Sequence, residues 1–345
     1  MTGAAGKAGD MRRWILPLAV VAFLWVLIAR RTELDELART LTLGRWPWVA
    51  AAAAVQCVYY LVYAALCHAA FGVVGVRSRF REVLAVLLGS MFANVVVPSG
   101  GAAGAALFMD DAARRGESPA RAAAGLLLAM TAVLSALALV LLGSLAYLAA
   151  RHELQSLEVW GAAALVAMIA ALVLLLALGL WLPRALDALL RGTAAVVGGL
   201  ARGLRLASPL GPDWAARTAG EFVEVAQALR ARPRGPLRLL ALALTMTVLD
   251  VASLGALFLA FREALRPGVV VAGYAFGILS WLLSPVPQGI GVVEGVMTLV
   301  YTSLGVHAEP ATLIVLSFRG LTFWLPTFVG FLLLRRLRSL RPEAR

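Results

Sequence analysis

Hydrophobic residues in this chain gather in long runs, not in the short alternating segments of a soluble fold. Six runs, 14–29, 48–71, 121–149, 160–182, 236–261 and 312–334, approach or exceed the roughly 20 residues that a helix needs to cross hydrocarbon. The run at 14–29 is the shortest of them. Trp46, Trp48, Trp160 and Trp181 stand at run ends, where an aromatic belt meets the membrane surface. The pattern predicts an all-α polytopic membrane protein with six full spans.

Two further apolar stretches are interrupted. The stretch 83–109 is broken by Val97-Pro98-Ser99-Gly100-Gly101, and 269–304 by Ser284-Pro285-Val286-Pro287-Gln288-Gly289-Ile290-Gly291. Proline removes a backbone donor and glycine loosens a helix. Irregular backbone at membrane depth survives only where protein or a watery cavity surrounds it. Both stretches therefore read as helix–break–helix re-entrant hairpins.

Composition sharpens this picture. The chain has 345 residues, 61% of them hydrophobic and 14% charged, against roughly 25% charged in a soluble domain. Its net charge of +12 comes almost wholly from arginine. Those arginines lie between apolar runs, as membrane topology requires, and nucleic-acid binding is not expected. Cys57 and Cys67 share one run without the spacing of a metal site, and no cofactor is expected. Ile28-Ala29-Arg30-Arg31 lacks a small-x-small cleavage pattern, so the first run is expected to remain as a helix.

Arginine placement also sets an orientation. The segment 183–235 and the tail after 334 are rich in arginine and are assigned to the cytoplasm, with both termini inside. The loop with Arg77, Arg79 and Arg81 and the loop with Arg114 and Arg115 are then both inside. The stretch 83–109 must enter and leave on one side, and 269–304 enters from the other. The chain thus divides into a first half within 1–182, whose last span, 160–182, opens the second half. An amphipathic interfacial linker follows at 183–235, and 236–345 completes the second half. The two oppositely oriented hairpins make an inverted repeat, an arrangement common in secondary transporters.

Charged groups at membrane depth are functional candidates by default. Asp250, Glu294 and Arg319 fall inside apolar runs, and a shared cluster, a Glu294–Arg319 pair with Asp250 nearby, would lower the cost of burying each. In the functional reading Arg319 receives an anionic group, since its planar fork suits phosphate, and Glu294 or Asp250 exchanges a proton. In the plainer reading they form a structural ion pair that fixes helix packing. Gly100, Gly101, Gly289 and Gly291 permit close backbone approach, and Asn94 and Gln288 stand ready to cap the broken helices or to meet a headgroup. Tyr59, Tyr60 and Tyr63 share a helix side that suits the lining of an acyl-chain path, with packing the simpler role. Asp110-Asp111 faintly suits a membrane glycosyltransferase, and Arg114 and Arg115 make a solvated charge run there the default.

Three of these segments together resemble the lysylphosphatidylglycerol synthase transmembrane-region family: Asn94-Val95-Val96-Val97-Pro98-Ser99-Gly100-Gly101, Pro287-Gln288-Gly289-Ile290-Gly291-Val292-Val293-Glu294-Gly295, and Arg319-Gly320-Leu321-Thr322-Phe323-Trp324-Leu325-Pro326. The resemblance runs from about 14 to 338. It implies a stand-alone lipid-translocating module in a bacterial inner membrane, without an aminoacyl-transferase domain. It also implies a homodimer and places Pro98, Gly100, Gly101, Pro287, Gly289, Gly291, Glu294 and Arg319 at the family's motif positions. The expected activity is a lipid flippase, not an enzyme. Its substrate would be a phospholipid, an aminoacyl-lipid or a polyprenyl-phosphate-linked headgroup, moved with possible proton coupling. The alternatives are a glycosyltransferase with a lipid-linked donor, a scaffold of a lipid pathway, and a small-solute transporter.

Overall fold

The computed structural model describes residues 44–97, 101–150, 234–284 and 287–334, with scattered positions between 184 and 223. The expected spans 14–29 and 160–182, the tail after 334, and Pro98 and Gly100 lie outside the described residues, as does most of the linker 183–235. Within that linker, Asp187 and Arg191 form an i,i+4 ion pair at 2.8 Å on a helical stretch.

Among the described residues the regular structure is entirely helical. Helix α1 is Trp46–Val73, α2 Phe80–Val96, α3 Ala102–Arg114 and α4 Pro119–Ala150. Helix α5 is Gly235–Ala260, α6 Pro267–Leu283, α7 Val292–Ser303, α8 Ala308–Arg319 and α9 Leu325–Leu334. A 3₁₀ turn, Pro287–Gly289, precedes α7, and a π-helical turn, Gly320–Trp324, joins α8 to α9. Four helices are long and apolar enough to cross a membrane: Trp46–Val73, Pro119–Val140, Gly235–Ala260 and Ala308–Leu333. The chain is a helical membrane protein.

The starts follow from local chemistry. Pro47 and Pro236 sit in the first turns of α1 and α5, where a missing N–H costs nothing. The last span begins at Ala308, four residues before the apolar run at 312, because Pro310 in a first turn is compatible with helix. Helix α3 runs past the apolar limit at 109 because Asp110–Arg114 and Asp111–Arg115 ion pairs, at 3.0 and 2.8 Å, support its final turn.

The ends share one device. After α1, α3 and α7, Gly75, Gly116 and Gly305 take left-handed φ of 78°, 76° and 85°. The next residue's N–H reaches back to the helix in each case, as with Val76 N–H to the Phe71 carbonyl at 2.9 Å. This is the Schellman closure. After α5 the left-handed position is held by Arg262, with φ of 62°.

Packing repeats between the halves. Helices α1 to α4 correspond in order to α5, α6, α7 and the α8–π–α9 rod. Both α2 and α6 have 17 residues, while α3 has 13 and α7 has 12. In each half the two short helices pack on each other across their break, and α2 lies on α9 as α6 lies on α4. The most extensive interface joins α1 to α5. Arg45 N–H meets the Ala260 carbonyl at 3.0 Å, Ser253 the Ala52 carbonyl at 3.3 Å, and Gln56 meets Asp250. Rising numbers on α1 meet falling numbers on α5, so these corresponding helices are antiparallel. The core divides along the same line. Phe71, Leu87, Phe92 and Phe108 anchor one cluster, and Leu254, Phe258, Met297 and Tyr301 the other.

Candidate functional site: a broken helix and its ion pair

Between α6 and α7 the backbone turns through three left-handed residues, Gln288 (φ 58°), Gly289 (φ 64°) and Gly291 (φ 84°). Gly289 is packed against the Trp281 backbone. The turn leaves α7 starting at an exposed glycine, with the unpaired N–H groups of a helix start beside it.

Glu294, the third residue of α7, satisfies that start. Its Oε2 accepts the Gly291 N–H at 2.7 Å, and its Oε1 accepts from Arg319 Nε at 2.6 Å. Arg319 also donates through Nη2 to the Gln288 carbonyl at 3.1 Å, and its guanidinium lies 4.8 Å from the centre of the Phe323 ring. One arginine thus ties together the break, the acid and the next helical rod. Its Nη1 edge has no hydrogen-bond partner among the described residues. Glu294 is only partly buried, with a side chain 21% exposed, and Gly291 is exposed. The pair is therefore accessible from one side, and the free Nη1 edge of Arg319 suits an anion.

The π turn begins directly after Arg319. Winding of this kind recurs at functional sites because it displaces side chains from the α-helical register. Its Thr322 carbonyl accepts from the Tyr60 hydroxyl on α1 at 2.9 Å.

Asp250 does not join this pair, and the structure separates the expected cluster into two. Asp250 faces the α1–α5 seam, where Gln56 Nε2 donates to its Oδ1 at 2.8 Å and Tyr274 of α6 donates to its Oδ2 at 3.0 Å. All three side chains are buried. The antiparallel register of α1 on α5 selects these partners.

The first break is built differently. Gly101 (φ 95°) precedes α3 as Gly291 precedes α7. Three residues on stands Gly104, whose N–H donates to Asn94 Oδ1 at 2.7 Å. Asn94 is thus a cap, and no charged pair stands at this break among the described residues. Asp110 and Asp111 engage Arg114 and Arg115, and Arg115 also donates to the Arg77 carbonyl.

The sequence did not single out Gln56 or Tyr274, and it met Tyr60 only as a packing or acyl-chain candidate and Phe323 only within the third family motif. Gln56 carried a usable signal, an uncharged amide inside an apolar run. Tyr274 and Phe323 carried none.

The family model described as the lysylphosphatidylglycerol synthase TM region matches residues 14–330. No curated protein matches the chain.

Proposed function

This chain belongs to the lysylphosphatidylglycerol synthase transmembrane-region family, and from that premise we propose that it is a lipid flippase that carries an anionic headgroup through the site at Arg319 and Glu294. The family supports a lipid-related role in a membrane, and the substrate class is drawn from the site. The observation that carries the reading is the depth of the ion pair. Glu294 lies nine residues from the end of α7, about 14 Å along a helix, and Arg319 lies eleven residues into α8, about 17 Å. With the α7–α8 loop at the membrane surface, both would lie near the middle of a hydrocarbon core about 30 Å thick.

In this reading the chain crosses the membrane six times, with α2–α3 and α6–α7 as re-entrant hairpins of opposite sense, in a bacterial inner membrane with both termini cytoplasmic. A phosphate or other anionic headgroup docks on the open Nη1 edge of Arg319 and on the amides at the start of α7. Glu294 holds Arg319 in place when the site is empty. A transmembrane pH gradient drives the cycle. The acyl chains stay in the surrounding lipid, so only the headgroup needs a polar path.

The test is reconstitution in liposomes with headgroup-labelled phospholipids, aminoacyl-lipids or polyprenyl phosphates, comparing wild type with Glu294→Gln and Arg319→Ala. Glutamine keeps an acceptor for the Gly291 N–H while losing the charge. Translocation reduced at least tenfold in both variants, with folded protein in both, is the expected result. Normal translocation in both would leave the pair a structural brace and remove the site.

A further inference from the structure

We propose that Asp250, held by Gln56 and Tyr274, is a reversible proton-binding site that couples the pH gradient to the headgroup site. The proposal rests on the transport reading for its purpose, though not for its chemistry.

The geometry is that of a carboxyl group with neutral partners. Gln56 Nε2 donates to Oδ1 and Tyr274 to Oδ2, and both donors are buried with Asp250. The titratable groups facing it are tyrosines, Tyr59 and Tyr60 from α1 and Tyr274 from α6. Helix α8 brings Arg319, which is paired with Glu294. The only charged residue that α4 carries among the described residues is Arg121, in its first turn. No cation compensates Asp250 among the described residues, and an uncompensated buried charge is costly.

The second observation is an orphan. Gln56 Oε1 is fully buried and has no hydrogen-bond partner among the described residues. An amide carries a donor at one end and an acceptor at the other. With Asp250 ionised, Nε2 faces Oδ1, as observed. With Asp250 protonated on Oδ1, a half-turn of the amide presents Oε1 to the new O–H, while Tyr274 still donates to Oδ2. Each state leaves one amide end unpaired, so hydrogen bonding locks the carboxyl in neither. A metal ion fits less well, because both groups touching the carboxylate present hydrogens to it.

A path leads from this site to the other. Tyr60 lies one turn beyond Gln56 on α1, and its hydroxyl holds the Thr322 carbonyl within the π turn that follows Arg319. Protonation at Asp250 and the set of Arg319 are thus connected through one face of α1 and one irregular turn. In each cycle one proton binds Oδ1 from one side of the membrane and leaves from Oδ1 to the other.

Two measurements test this on the full chain in liposomes. The first is infrared difference spectroscopy across a pH titration of wild type, Asp250→Asn and Gln56→Leu. A protonated-carboxyl stretch that vanishes as pH rises, is missing in Asp250→Asn and has a displaced midpoint in Gln56→Leu is expected. The second is translocation of labelled lipid with and without a pH gradient. The gradient should accelerate wild type, while Asp250→Asn should run at one rate in both conditions. A wild type that moves no lipid but shows the titrating Asp250 band would refute the transport reading and keep the proton site. Absence of an Asp250-dependent titrating band, or an undiminished gradient response in Asp250→Asn, overturns the proposal.

Discussion

Arg319 makes three different contacts with one side chain, and this makes its identity as important as its charge. The Nε bond to Glu294 and the Nη2 bond to Gln288 leave in different directions, and the flat face covers Phe323. A lysine keeps the charge but has one compact ammonium in place of the planar fork. Arg319→Lys is therefore expected to retain the fold and lose about tenfold or more in lipid translocation, measured in the reconstituted system. A lysine variant as active as wild type would show that point charge suffices. The sequence made Glu294, Arg319 and Asp250 visible because a charge in an apolar run is conspicuous. It hid the division between them. Which neutral groups meet Asp250 depends on how α1 registers against α5, a contact of residues 194 apart that no local pattern records.

At the scale of elements, the breaks were legible because proline and glycine interrupt the apolar runs, and the helix lengths on either side followed. The π turn was not, since Gly320–Trp324 has no residue that demands that winding. Two positions expose the forces that shape the elements. Gly330 of α9 lies so close to α2 that a Cβ would come within 2.1 Å of the Leu88 carbonyl oxygen. Gly330→Ala must push the two helices apart, and overpacking of this kind costs about 1–3 kcal/mol. A lowered thermal unfolding midpoint is expected, and an unchanged midpoint would mean that α9 shifts freely. Arg262 shows the opposite case. It occupies the left-handed position that glycine holds after α1, α3 and α7, and a side chain there costs about 1–2 kcal/mol. Arg262→Gly relieves that strain but frees the unfolded chain. A net stabilisation of a few tenths to about 1 kcal/mol is expected, read as a raised midpoint in thermal unfolding. A fall would show that the Arg262 side chain makes a contact that outweighs the strain.

Among the described residues, two sets of helices repeat one plan and meet across α1 and α5. The corresponding helices α1 and α5 run antiparallel, with Arg45 at Ala260, Ala52 at Ser253 and Gln56 at Asp250. The plan is kept but the chemistry is not: Gly104 stands three residues after its left-handed glycine where Glu294 stands after Gly291. The sequence carried the order of the elements and the arginine bias, but its similarity between halves is too thin to show antiparallel packing, in which the buried Ala52 of α1 meets Ser253 of α5. The orientation is open to a direct test. In a chain with Cys57→Ala and Cys67→Ala, a cysteine at Ser78 should react with a membrane-impermeant reagent only from the cytoplasmic face. Ser78 lies between α1 and α2, while His307, between α7 and α8, should report only from the opposite face when changed to cysteine. Labelling of both from one face would place the two breaks on the same side. It would contradict the inverted plan.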